Sequence, residues 1–248
     1  MSKISDALDK ADRERRGRGE TPAPEQTRPE LGPALSGNVP DEFWRELGMM
    51  RNLVESHLPS KKSRSLLVTS TAAGEGVSSV TANFGKVLAD DPSLNVLVVD
   101  ANPGAPAQHE FFGIDNANGF VELARGVLKP DEAARATVRT NLSVIPSGAA
   151  SGGMLQLAGA ERVVGILAAL QARFNYVLLD APPVLSHPET AVLGSRVDGV
   201  LLVVRALNTR REVAARARDT LARSGCNVIG VVLNRYKYSI PEFIYRRV

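Results

Sequence analysis

Six short runs rich in leucine and β-branched residues, separated by helical patterns, constrain this chain more than any other feature. They are SLLVTS (65–70), LNVLVVD (94–100), NLSVIP (141–146), YVLLDA (176–181), DGVLLVVR (198–205) and NVIGVVLN (227–234). Helical periodicity occupies 77–89, 159–173, 188–195 and 209–224. A sheet with one wet face alternates apolar and polar residues, whereas these runs are nearly continuously apolar, as a parallel sheet covered on both faces requires. The order predicts an α/β fold: a doubly wound, mostly parallel sheet with helices on both faces, over residues 41–235.

Upstream, Ile4, Ala7, Leu8 and Ala11 fall at helical spacing among charged residues, predicting a short amphipathic helix over 1–16. Residues 17–40 hold five prolines, four glycines and no aromatic residue, the composition of a flexible linker. The helix so tethered is either a solvated tail or a docking segment for a partner groove. Phe43, Leu47, Met50, Val54 and Leu58 then lie on one face of a helix ending near Pro59.

Composition narrows the function classes. With 44% hydrophobic and 23% charged residues the chain is not a disordered, collagen-like or coiled-coil protein. A net charge of +3 does not suggest a dedicated nucleic-acid binder. One cysteine, Cys226, forms no intrachain disulfide, and with three histidines it leaves little for a zinc site. No apolar stretch reaches the roughly 18 residues of a membrane span, and the charged N-terminus lacks a signal-peptide core, so a cytoplasmic protein is expected.

In an open parallel sheet, ligands sit at the carboxyl ends of the strands. After the first run comes Thr69-Ser70-Thr71-Ala72-Ala73-Gly74-Glu75-Gly76-Val77-Ser78-Ser79, leading into a helix. Such a loop presents backbone N–H groups and the positive end of a helix dipole, which suits phosphate. Gly74, Glu75, Gly76, Val77, Ser78 and Ser79 are the candidate nucleotide contacts. Gly76 and Ser78 match the second glycine and the Mg²⁺-ligating hydroxyl of a P-loop, but Val77 stands at the lysine position. A Gly-x-Gly turn here also serves a purely structural connection. Asp100 and Asp180 close two apolar strands, where a carboxylate either holds Mg²⁺ or simply forms a turn.

Together these motifs resemble the bacterial tyrosine kinases (BY-kinases, CpsD/CapB type) of capsule and exopolysaccharide synthesis, relatives of the MinD/ParA P-loop ATPases. The resemblance runs from about Glu42 to Arg235 through GEG-x-S-S with Asn83 on the next helix, LVVDAN, LLDAPP, SRVDGVLLVVR and GVVLNR. The opening MSKISDALDKA is also similar to polysaccharide-associated members. The resemblance implies ATP or ADP with Mg²⁺ as ligands, Ser78 and Asp180 on the metal, and Asp100 and Asp180 in catalysis. It further implies an adenine contact near Asn234, homo-oligomerisation, and a membrane polysaccharide co-polymerase as partner. Tyr236, Tyr238 and Tyr245 lie in the tail 236–248, and a C-terminal tyrosine cluster is the family's phospho-acceptor. An aromatic tail packed on the sheet edge is the other reading of these residues. Glu189 matches a position that is usually acidic, and His187 beside it reads as a loop or capping residue.

The departures are as informative. The family lysine is Val77; its D-x-D-x-R motif reads Asp100-Ala101-Asn102-Pro103-Gly104; and the last arginine of its E-x-x-R-x-x-R helix is Gly48. Each preorganised electrostatic donor lost from a transition state costs about 10²–10³ in rate. Lys86 lies about 13 Å farther along the same helix at roughly 1.5 Å per residue, poorly placed to substitute. The expectation is a peripheral, BY-kinase-like regulator that binds nucleotide weakly and transfers phosphoryl groups slowly or not at all. An active autokinase and a nucleotide-free adaptor are the alternatives; a MinD-like positioning ATPase is disfavoured because no lysine stands near Thr71.

Overall fold

The computed structural model describes residues 41–148 and 160–235. The sequence-predicted helix over 1–16, the linker 17–40 and the tail with Tyr236, Tyr238 and Tyr245 lie outside the described residues. Helix α1 (Asp41–His57) leads to β1 (Arg64–Ser70), α2 (Val77–Leu88) and β2 (Val96–Asp100). Three short helices follow, α3 (Gln108–Phe112), α4 (Phe120–Arg125) and α5 (Pro130–Ala133), then β3 (Arg135–Ala136) and β4 (Leu142–Ile145). The remainder alternates: α6 (Ala160–Gln171), β5 (Tyr176–Asp180), α7 (Pro188–Gly194), β6 (Gly199–Arg205), α8 (Arg211–Arg223) and β7 (Val228–Asn234).

The strands form one sheet in the order β3-β4-β2-β5-β1-β6-β7. All pairings are parallel except that of the two-residue β3 with β4. Successive side chains on a strand point to opposite faces, so each continuous apolar run supplies two cores. Leu66, Val68, Val96, Val98, Leu178, Leu201 and Val203 join Leu47, Met50 and Val54 of α1 and Val77, Val80, Phe84 and Leu88 of α2 on one face. Leu67, Leu97, Val99, Val177, Leu179, Val200 and Leu202 meet residues of α4, α6, α7 and α8 on the other. The doubly wound architecture read from the sequence is therefore the observed one. What it positions is a row of strand ends: β5 sits between β1 and β2, so the loop after β1 and the aspartates ending β2 and β5 converge.

Candidate functional site

Asp100 and Asp180 are register partners on adjacent parallel strands, and both are fully buried. Two carboxyl groups placed side by side out of water cannot both ionise cheaply. Burial, then the Asp100 charge, pushes the Asp180 carboxyl up to about 7, while Gln108 and Ser78 pull against the shift. Burial also raises Asp100, offset by backbone N–H groups. These donors are specific: Asn102 N–H donates to Asp100 Oδ1 at 3.1 Å, and the Ala107 and Gln108 N–H groups donate to Oδ2 at 2.8 and 3.0 Å. Asp100 thus organises the turn from β2 into α3.

The loop after β1 is built around its own glutamate. Glu75 is buried; its carboxylate accepts from Thr71 N–H (2.8 Å), Thr71 Oγ1 (2.8 Å) and Ala72 N–H (3.2 Å), and also from the Thr209 hydroxyl. With the Glu75 carboxylate committed inside the loop, its contribution to an anion is limited to its backbone. Asn234, at the end of β7, donates from Nδ2 to the Glu75 carbonyl at 2.8 Å and accepts the Arg235 N–H at Oδ1. Gly74 (φ 80°) and Gly76 (φ 94°) take left-handed conformations that favour glycine, and a Cβ on Gly76 would collide with the Asn234 amide. Gly76 is also the N-cap of α2 and supplies no side-chain cap. The first-turn N–H groups of α2, from Val77 through Ser79, therefore keep the character of an anion site.

The residue at the lysine position has turned inward. Val77 is 9% exposed and belongs to the apolar cluster with α1 and α2. Lys86 is equally removed: it is 3% exposed, its Nζ lies 5.3 Å from the Phe112 ring centroid, and it has no hydrogen-bond partner. Burial, then the Arg139 charge, pulls its ammonium down to about 8.

The sequence-predicted residues Gly74 to Ser79, Asp100, Asp180 and Asn234 are brought together at one end of the sheet. His187 instead occupies the N-cap position of α7 without a side-chain cap hydrogen bond, its ring nitrogen lying beside Ser186 Oγ (3.0 Å) and the Pro183 carbonyl (3.3 Å); Glu189 lies in the first turn of that helix. Gln108 was missed. It is fully buried, and its Nε2 donates to Asp180 Oδ2 at 2.7 Å and to the Ser78 carbonyl at 3.1 Å. Its Oε1 and the Asp180 Oδ1 have no hydrogen-bond partner. Thr209, which joins Glu75 from the loop before α8, was missed as well.

Among the described residues no group of three or more His, Cys, Asp or Glu could hold a metal ion by itself. Mg²⁺ commonly takes one or two protein oxygens and completes its shell with water and phosphate, and the unpartnered Asp180 oxygen beside the α2 N-terminus fits that manner of binding.

This site and fold have relatives. The family model for the CobQ/CobB/MinD/ParA nucleotide-binding domain (CbiA) matches residues 66–243. The chain belongs to that family. Among sequence relatives, the tyrosine-protein kinase YwqD of Bacillus subtilis (strain 168) is 27% identical over 190 residues, covering 77% of this chain and 80% of that protein. The tyrosine-protein kinase wzc of Salmonella typhi is 27% identical over 199 residues, but these span only 27% of its length. Among solved structures, the BceF tyrosine kinase domain superposes with a TM-score of 0.71 at 26% identity, covering 94% of this chain and 89% of that one. The septum site-determining protein MinD of Pyrococcus horikoshii OT3, complexed with Mg-ADP, gives a TM-score of 0.58 at 22% identity over 74% of this chain and 76% of that one, a likeness of fold alone. The family's relatives of this chain are bacterial tyrosine kinases. No helix among the described residues is long and apolar enough to cross a membrane.

Proposed function

We propose that this chain is a BY-kinase-like nucleotide-binding regulator of capsule or exopolysaccharide synthesis, with phosphoryl transfer weak or absent, acting beside the membrane through a polysaccharide co-polymerase. The observation that carries the reading is Val77. At the position where a P-loop presents its lysine, this chain buries an apolar side chain in the α1–α2 cluster. Loss of that cation and of the second acidic group at Asn102 removes two electrostatic elements, each typically worth about 10²–10³ in rate, although effects within one site do not add simply. Lys86 does not replace the lysine, because it is buried over Phe112.

The elements for binding survive better than those for chemistry. The uncapped start of α2 offers backbone N–H groups to phosphate, and the Ser78 hydroxyl and Asp180 carboxylate would hold Mg²⁺. Bound Mg²⁺ would neutralise phosphate charge. Asp100 keeps the β2–α3 turn in place through its three N–H contacts. Asn234 and Thr209 hold the loop from the opposite side through Glu75, where the nucleoside end would lie. The tail residues Tyr236, Tyr238 and Tyr245 are acceptors for a kinase acting in trans, a role that phosphopeptide mass spectrometry of protein from its native host would test.

The test is calorimetric titration with Mg-ATP and Mg-ADP, beside Ser78→Ala, together with a hydrolysis assay. Binding weakened at least about tenfold by Ser78→Ala, with turnover far below the roughly 1–100 s⁻¹ of kinases, is expected. Turnover in that range would overturn the regulator reading, and absence of binding at millimolar nucleotide would overturn the nucleotide site.

A further inference from the structure

Gln108 occupies an unusual position in this site. Both partners of its Nε2, the Asp180 carboxylate and the Ser78 carbonyl, are acceptors, so the nitrogen and not the oxygen must face them. The side chain is fully buried, and its own Oε1 has no partner. Buried polar atoms are nearly always paired, so two unpartnered acceptors in one site, Gln108 Oε1 and Asp180 Oδ1, mark a place short of positive charge. The side chain at position 77, apolar here, does not supply it. A neutral amide N–H is the donor turned on Asp180 instead.

We propose that the Gln108 carboxamide stands in for a divalent cation at Asp180, bridging β5 to the start of α2 and competing with a metal for that carboxylate. The inference rests on the nucleotide reading for the arrival of that metal, and concerns what Gln108 does before it arrives. Bridging Asp180 to Ser78 ties α3, which begins at Gln108, to α2 and β5. Arrival of the cation would release α3 at that end, while Asp100 continues to hold the Ala107 and Gln108 backbone. In this way the state of the metal site would reach the α3 surface.

The test uses Mn²⁺ alone, titrated into the full chain and followed by electron paramagnetic resonance, for the wild type, Gln108→Ala, Gln108→Met and Gln108→Ala/Asp180→Asn. Removing one hydrogen bond to a charged group should tighten Mn²⁺ by about tenfold or more in both single variants, and Asp180→Asn should abolish the gain. Mn²⁺ binding no tighter than wild type in folded Gln108→Ala and Gln108→Met would overturn the proposal. A second measurement needs no variant: the assigned Gln108 side-chain NH₂ resonance of the wild type, followed during titration with Mg-ADP. It should shift with saturation; an unmoved resonance while the Ser78 backbone amide shifts would overturn the proposal yet leave the nucleotide reading intact. Tighter Mn²⁺ in the variants without any ADP binding would do the reverse.

Discussion

Replacing Asp180 by asparagine should stabilise the protein, and the gain should depend on pH in a direction fixed by the geometry. The native carboxyl is held up to about 7 against an ordinary value of 3.8, because it is buried beside Asp100. A raised carboxyl binds more protons in the folded than in the unfolded state throughout that interval, so stability falls as pH rises through it. Below about pH 4 the group costs nothing; the cost accumulates at about 1.4 kcal/mol per pH unit and levels off above about pH 7. The ceiling is about 4 kcal/mol at pH 8, and at roughly 2–4 °C per kcal/mol for a chain of this size even half of it moves Tm by several degrees. Asparagine resembles the protonated acid and can still accept from Gln108 Nε2. The assay is thermal unfolding by circular dichroism at pH 5, 6, 7 and 8 in matched ionic strength with a chelator. The difference in Tm between Asp180→Asn and wild type should widen from pH 5 to pH 7 and level off towards pH 8. A constant difference, or one that narrows with pH, would refute the account of a carboxyl destabilised by burial and a neighbouring charge.

Lys86→Met should also stabilise, because the lysine is 3% exposed and its ammonium is pulled down to about 8 from 10.5. For a base with a lowered value the cost is full below about pH 8 and vanishes above about 10.5, so a gain of up to about 3 kcal/mol at pH 7 should fade in melts at pH 10. Glu75→Ala would leave the Thr71 N–H without its carboxylate partner at 2.8 Å, at a cost of about 1–3 kcal/mol, and hydrogen exchange at Thr71 and Ala72 should quicken. Val77→Lys should lower Tm, since the ammonium must escape an apolar cluster. The same change combined with Asn102→Asp should raise ATP turnover by about 10²-fold or more; unchanged turnover would locate the lost chemistry elsewhere.

How much of this was legible in the sequence follows from the range over which each feature is encoded. The strands of the sheet centre announce themselves because both faces of each must be apolar: LNVLVVD and YVLLDA cannot serve a half-wet sheet, and their aspartates mark the strand ends. The helix α1 was equally readable, since Leu47, Met50 and Val54 repeat on one face and are the residues that meet α2 and the sheet. Between β2 and β4 the reading fails. Helices α3, α4 and α5 contain five, six and four residues, too few turns for a period to emerge, and β3 has only two residues. The site divides along the same line. Gly74 and Gly76 are legible because their left-handed backbone conformations limit the residue types that fit. Gln108 has no such signature: a glutamine in a loop of mixed composition reads as a surface residue. Only the crossing that sets β5 between β1 and β2, with α3 packed over α2, carries its amide to Asp180. For Glu75 the loop position is legible but the carboxylate's place is not: Thr71, Ala72 and Thr209 claim it. The side-chain contacts hardest to read are thus those whose partners are distant in sequence: 72 residues separate Gln108 from Asp180, and 134 separate Glu75 from Thr209.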